Sequence, residues 1–187
     1  SIMRRTLGVA KELGLRVGAH PSYPDRENFG RRSMPIGAQN LRRSLEDQVS
    51  LLCDIAGSAG VEVAYLKPHG ALYNDAAVDE GLLALLLDLG DSLGLPLMLL
   101  GSAGETSNSP GRLTEGFIDR TYRQDGTLVP RDQAGALITD PSAAARQALA
   151  LAPSVSSLCV HSDSPSALSL VRSARAALEA AGYEVGP

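Results

Sequence analysis

The chain has 187 residues, 44% of them hydrophobic and 20% charged, with 17 basic and 21 acidic side chains and a net charge of −4. That composition suits one globular domain with an aliphatic core, since only 4% is aromatic and tryptophan is absent. The acidic balance argues against a nucleic-acid partner, no apolar run reaches the roughly 18 residues of a membrane span, and the opening Ser-Ile-Met-Arg-Arg-Thr lacks the apolar stretch of a signal peptide. Cys53 and Cys159 make no disulfide framework in a chain of this length, so a reduced, cytoplasmic setting is expected.

Met3, Leu7, Ala10 and Leu13 recur at helical spacing, so the chain opens inside a helix and further N-terminal sequence is expected before it. Leu15 to Ala19 reads as a short strand ending in His20-Pro21. Leu41, Leu45, Val49, Leu52 and Ala56 predict an amphipathic helix that Gly57 or Gly60 can end. Val61 to Leu66 is a second strand, running into Lys67-Pro68-His69. Val78, Leu82, Leu85, Leu86, Leu89 and Leu93 predict the next helix, and Leu95 to Leu100 a third strand. Leu113 to Ile118 is a weak fourth strand, interrupted by Gly116. Asp140-Pro141 and Ser164-Pro165 each place a capping residue before a proline at the first helical position. Ser157 to Val160 is a fifth strand, ending in His161; Ala167, Val171, Ala174, Leu178 and Ala181 form a third helical stripe; Tyr183 to Val185 is a sixth strand. Alternating strands and helices predict an α/β fold with a parallel sheet. No Gly-rich phosphate loop of the dinucleotide or Walker type is present, and the chain is shorter than the roughly 250 residues of a complete eightfold barrel.

All three histidines, His20, His69 and His161, directly follow strand-like segments. Parallel α/β folds build their sites at the carboxyl ends of strands, which makes the trio candidate site residues. His20 and Asp25 can act as base and orienter or as metal ligands, while Arg31 and Arg32 suit a phosphate or carboxylate, or form a solvated pair. Lys67, His69, Tyr73 and Asn74 lie within eight residues. Lys67 ends an apolar strand, where partial desolvation suits it to hold an anionic oxygen or to donate a proton, with snorkelling as the structural alternative. Strand alternation puts Glu115, Phe117 and Asp119 on one face, beside Arg120, Tyr122 and Arg131, for acid–base work or a metal. A buried ion pair of Asp119 with Arg120 or Arg131 is the structural alternative. Asp125-Gly126 reads as a tight turn. His161 and Asp163 can pair with each other or with a ligand, and Cys159 reads as a small buried hydrophobe. The histidine spacing is not that of a compact zinc motif, so a divalent metal is neither implied nor excluded.

Four strings, in this order, resemble the LamB/YcsF family, that of the A subunits of bacterial 5-oxoprolinase. They are Gly18-Ala19-His20-Pro21-Ser22-Tyr23-Pro24-Asp25 with Phe29-Gly30-Arg31-Arg32; Lys67-Pro68-His69-Gly70-Ala71-Leu72-Tyr73-Asn74; Asp119-Arg120 with Tyr122 and Asp125-Gly126 through Leu128-Val129-Pro130-Arg131; and Cys159-Val160-His161 with Asp163. The resemblance implies an irregular parallel β/α barrel of the glycoside hydrolase/deacetylase-like kind, a single domain over residues 1–187 that lacks its first N-terminal strands. It implies ATP-dependent opening of 5-oxoproline to L-glutamate together with B and C subunits, with ATP bound by this chain or by those partners. Fitted to that chemistry, His20, Lys67, His69 and Asp25 are the expected catalytic residues. Arg31, Arg32, Tyr73, Asn74, Glu115, Asp119, Arg120, Arg131, His161 and Asp163 are the expected substrate- or phosphate-binding set. The sequence departs from the family pattern in three places: the usual first two strands, one carrying Asp and Glu and the next a Cys-Gly-Phe-His type motif, are absent; Ser162 stands where Gly is usual; and the stretch Glu105 to Arg112 is shorter. The rival expectations are a non-catalytic scaffold protein within that complex, a metal-dependent carbohydrate deacetylase, and a truncated product without activity.

Overall fold

In a computed structural model that describes residues 1–101, 111–131, 133–164 and 166–186, the apolar stripes become helices and the short apolar runs become strands. The elements are α1 (Ile2–Glu12), β1 (Val17–Ala19), α2 (Ala38–Ala59), β2 (Val63–Leu66), α3 (Ala71–Ala76), α4 (Glu80–Leu93), β3 (Leu97–Leu100), β4 (Arg112–Phe117), α5 (Pro141–Leu151) with a 3-10 turn at Ala152–Ser154, β5 (Ser157–Cys159) and α6 (Ala167–Ala180). This is an α/β fold whose strand pairs β1–β2, β2–β3 and β4–β5 all run parallel. None of the described helices is long and apolar enough to cross a membrane. The chain forms two compact units, residues 1–99 with 111–112, and residues 100–101 with 113–186.

In the first unit, Val17 stands opposite Val63 and Ala19 opposite Leu66, while Leu66 stands opposite Leu97. The predicted stripe of α2 faces inward: Leu41, Leu45, Val49 and Ala56 are buried, against Leu66, Leu86, Leu89 and Leu97. Burying one such leucine is worth about 1.5–3 kcal/mol relative to exposing it. On the outer side, Arg42 ties α2 to α4 through an ion pair with Asp88 and also pairs with Glu46 within its own helix. α4 starts at Glu80, capped by the Asp79 side chain, and Val78 lies outside it, 82% exposed.

In the second unit, Glu115, Gly116 and Phe117 of β4 stand opposite Ser157, Leu158 and Cys159 of β5. The expected interruption at Gly116 does not occur. The strand runs through it, and the missing side chain makes room for Leu151, whose Cδ1 would lie 3.0 Å from an added Cβ. Ala144 and Ala148 of α5 and Leu170, Ala174 and Leu178 of α6 form a core with Ile118, small residues letting the two helices approach closely. Asp140 caps α5 as expected, accepting from the Ala143 N–H at 2.7 Å. α6 does not start at Ser164; its cap position is Ser166, and the Ser164 carbonyl accepts from the Ala167 N–H. Pro165, and residues 105–110 of the shortened stretch, lie outside the described residues. Residues 183–185 form no sixth strand: the Tyr183 N–H bonds to the Leu178 carbonyl, closing the helix end, and Val185 packs on the second core.

Candidate functional site

Both loops of the first unit leave parallel strands, and hydrogen bonds carry the pairing past the strand ends. The Lys67 N–H donates to the Ala19 carbonyl and the His69 N–H to the Pro21 carbonyl, each at 2.8 Å. This sets two histidines side by side: His69 Nδ1 lies 3.0 Å from His20 Nε2, with the rings edge-on. Their outer nitrogens meet main-chain carbonyls, His20 Nδ1 at 2.7 Å from Lys67 O and His69 Nε2 at 2.9 Å from Phe29 O. A carbonyl only accepts, so the network assigns a hydrogen to each outer nitrogen. The inner contact is then a hydrogen bond only when one proton sits between the rings. In this arrangement the pair holds three protons on four nitrogens and carries one positive charge. His20 is exposed, and His69 partly so.

The loops touch at two glycines. The Ala71 N–H donates to the Gly30 carbonyl at 3.0 Å. Gly70 has φ +62° and ψ −125°, and a Cβ there would lie 2.5 Å from Gly30 O. Phe29, at φ +56°, is the sole non-glycine with positive φ among the described residues. Its ring is exposed, packs edge-on against His69 and carries the Arg31 guanidinium 5.4 Å from its centroid. That backbone conformation costs on the order of 1 kcal/mol or more, and it is the conformation that presents Phe29 O to His69.

Asp25 is not the orienter of His20. Its Oδ1 accepts from the Asn28 N–H and side-chain amide, closing the 25–30 turn, and its Oδ2 is buried with no hydrogen-bond partner. The Tyr23 hydroxyl donates to Asp75 Oδ2 and the Ser33 hydroxyl to Asp75 Oδ1, each at 2.9 Å. Burial first, and the Asp75 carboxylate second, push the Tyr23 phenol up to about 12. Gln48 of α2 clamps the Ser22 N–H and carbonyl. The segment from Lys67 to Asn74, expected as a loop, runs from Ala71 on into α3, which buries Tyr73 and leaves Asn74 exposed. Six residues are too few to show a helical period. Arg31 and Arg32 are both exposed.

In the second unit, β4 and β5 end level at Phe117 and Cys159, so Asp119 and His161 each stand two residues beyond. Asp119 therefore lies past the strand rather than on its alternating face, though Glu115 and Asp119 are both buried, at 1% and 0% exposure. Asp119 meets His161 twice. Its Oδ2 accepts from the His161 N–H at 2.9 Å, and Nδ1 of the ring lies 2.9 Å from Oδ2 and 3.2 Å from Oδ1. Burial pushes the Asp119 carboxyl up, but the His161 side-chain and backbone hydrogen bonds together outweigh it and hold the group below its usual value. The carboxylate is thus charged and only accepts, so Nδ1 carries the hydrogen, and the neutral form of the ring is the tautomer with its lone pair on Nε2. The Phe117 ring stacks on the imidazole at 5.3 Å and 9°.

Neither the Asp119–arginine ion pair nor the His161–Asp163 pair is the arrangement adopted. Asp163 takes Arg131, at 2.7 Å. Arg120 donates from Nη2 to the Val129 carbonyl at 2.6 Å, while its Nε is buried without a partner. Burial, then the neighbouring charge of Arg131, lower its pKa. The Asp125-Gly126 turn forms as expected, Asp125 Oδ1 accepting from the Thr127 N–H and hydroxyl. Tyr122 accepts from the Phe117 N–H through its phenol oxygen at 2.7 Å. Gln147 of α5, which the sequence reading missed, donates to the Phe117 and Arg120 carbonyls at 2.6 and 2.8 Å and fixes the segment bearing Asp119. Its signal was a polar residue between Ala144 and Ala148 on the inward face. Cys159 is partly rather than fully buried, and neither cysteine is in a disulfide. Among the described residues no three His, Cys, Asp or Glu side chains gather as metal ligands.

The LamB/YcsF family model matches residues 1–187. The chain is 40% identical to the 5-oxoprolinase A subunit of Streptomyces avermitilis, over 98% of this chain and 81% of that protein. It is 40% identical to a 5-oxoprolinase A subunit of Pseudomonas aeruginosa, over 95% of this chain and 80% of that one. The crystal structure of a lactam utilization protein from Thermus thermophilus is similar at a TM-score of 0.83 and 31% identity, covering 98% of this chain and 81% of that one. Strings, fold and relatives agree, and the chain belongs to the LamB/YcsF family.

Proposed function

We propose that this chain works in the cytoplasm within an ATP-dependent 5-oxoprolinase, as its A subunit, opening 5-oxoproline to L-glutamate together with B and C subunits. The observation that carries the reading is 40% identity, over nearly the whole chain, to proteins named as A subunits of 5-oxoprolinase. The likeness to the lactam utilization protein supports an irregular parallel β/α barrel as the architecture.

A five-membered lactam is a poor electrophile, and ATP supplies the phosphoryl group that activates its carbonyl oxygen. The residues then have three tasks: to hold anionic oxygens, to take a proton from water and to give one to the leaving nitrogen. Arg120 fits the first, since its buried Nε is unpartnered and Arg131 lies close enough to lower its pKa. Arg31 and Arg32 offer exposed guanidiniums for the same purpose. The reading gives Lys67 the task of stabilising developing negative charge, and Tyr73, Asn74, Glu115 and Asp163 that of binding substrate. In its hydrogen-bonded form, with a proton between the rings, the His20–His69 pair supplies the proton that a leaving nitrogen needs.

The test is glutamate release from 5-oxoproline and ATP by this chain assembled with its B and C partners. Turnover that disappears when this chain is omitted is expected. A folded chain that binds its partners and yields no glutamate overturns the reading.

A further inference from the structure

We infer that His161 is the general base of this chain, with Nε2 as the basic nitrogen and Asp119 as its positioning residue; the inference rests on the 5-oxoprolinase reading. Three features lead to it, and none depends on the expected role of His161 as a binding residue.

First, the partner is a charged carboxylate with no exposed surface, beneath a ring whose side chain remains 28% exposed. Burying a carboxylate is costly unless it is fully hydrogen-bonded. If the only need were to satisfy the His161 N–H, a neutral acceptor such as an asparagine amide would serve at lower cost. A carboxylate adds something an amide does not: it stabilises an imidazolium when one forms, and it fixes the tautomer that leaves Nε2 bare.

Second, the ring is held on three sides. Nδ1 is engaged by Asp119, the main chain is tied to the same carboxylate, and one face lies flat on Phe117. Asp119 is in turn aimed by its own segment, whose carbonyls at positions 117 and 120 are clamped by Gln147. Third, the other two histidines turn their ring nitrogens to fixed partners: the outer ones face the Lys67 and Phe29 carbonyls and the inner ones face each other.

The step balances as follows. Water attacks the carbon of the O-phosphorylated lactam, a C–O bond forms as the C=N π pair moves to the lactam nitrogen, which takes a proton, and the water O–H electrons stay on oxygen while the proton passes to His161 Nε2. The imidazolium so formed remains paired with the Asp119 carboxylate. Collapse breaks the C–N bond, whose electron pair goes to nitrogen and takes up a proton, while the added hydroxyl loses its proton and becomes the carbonyl oxygen; the phosphoryl group stays on the carbon as an acyl phosphate, which a second water cleaves to the carboxylate and inorganic phosphate.

Two experiments test this. In the assembled complex, His161→Gly and Asp119→Asn are expected to lower kcat by about 10²–10⁴-fold, the usual worth of a general base, with KM for 5-oxoproline little changed. Imidazole added to His161→Gly is expected to restore turnover in proportion to its concentration, which no structural role would produce. In the free chain, nitrogen NMR is expected to show neutral His161 protonated at Nδ1, a readout independent of partners and substrate. Full kcat in both variants, an imidazole-insensitive loss, or an Nε2-protonated tautomer overturns the inference. If the wild-type complex releases glutamate while the variants keep full kcat, only the base assignment fails. If the wild-type complex releases none, the 5-oxoprolinase reading fails and the base assignment falls with it.

Discussion

Replacing Gly70 by alanine tests the contact between the two loops that carry His20 and His69. The backbone there, at φ +62° and ψ −125°, is one that side chains rarely adopt, and imposing it on alanine costs on the order of 1–3 kcal/mol. The new Cβ would also fall 2.5 Å from Gly30 O and 3.1 Å from Gly30 C, main-chain atoms with no side-chain torsion to relieve them. Relief therefore means parting the loops and losing the Ala71–Gly30 hydrogen bond, worth a further 0.5–1.5 kcal/mol or so. The sum is about 1.5–4.5 kcal/mol, a fall in Tm of roughly 3–18 °C for a chain of this size. Gly126→Ala is the control. That glycine has φ +83° but open space around it, so it meets only the backbone term, about 1–2 kcal/mol. Thermal melts of both variants, followed by circular dichroism, give the comparison, and turnover in the complex shows whether His69 has moved. If Gly70→Ala melts no lower than Gly126→Ala, the close approach at Gly30 does not shape the site.

Three further outcomes follow from hydrogen bonds already described. The Asp119 carboxyl is held below its ordinary value, against about 3.9 unfolded, so its contribution is present above about pH 4 and lost as pH falls through the folded value; Asp119→Asn should flatten the acid limb of stability against pH, and an unchanged limb counts against the pairing. Tyr23, pushed up to about 12 against about 10 unfolded, adds stability that is full below about pH 10 and lost as pH rises through the folded value; an ultraviolet titration should show one tyrosine ionising last, and Tyr23→Phe should remove that phase. Asp140→Ala should cost about 0.5–2 kcal/mol by uncapping α5, while Asp140→Asn should be nearly neutral by denaturant titration; equal losses in the two would show that the cap hydrogen bond does not hold that helix end.

Most of the fold was legible because its signals are local. Five of six expected strands form within a few residues of their apolar runs, and the stripe of α2 turns inward as its spacing predicts, while that of α4 does so only in its middle, with Val78 and Leu93 exposed, and that of α6 only at Ala174 and Leu178, with Val171 exposed and Leu170 taking the buried place. The failures have physical causes. Tyr183 to Val185 has a strand-like composition but serves to close α6. α3 is too short for periodicity, and Ser164 looked like a cap because a proline followed it. Within the site, residue types were readable and partnerships were not. His20 and Asp25 lie five residues apart and do not meet, whereas Asp119 and His161, 42 apart, do, because strand register brings them level. Gln147 escaped notice because it bonds to carbonyls, and a carbonyl leaves no mark in a sequence.

The same reasoning changes what variation at the histidine pair would mean. His20 and His69 are aimed by Lys67 O and Phe29 O, acceptors that any amino acid at positions 67 and 29 would supply. A change of side chain at position 29 leaves the anchor in place provided the replacement tolerates φ +56°. Asparagine and glycine meet that condition and β-branched residues do not. The geometry of the pair is inherited through backbone shape, and it can outlast a complete turnover of the side chains around it.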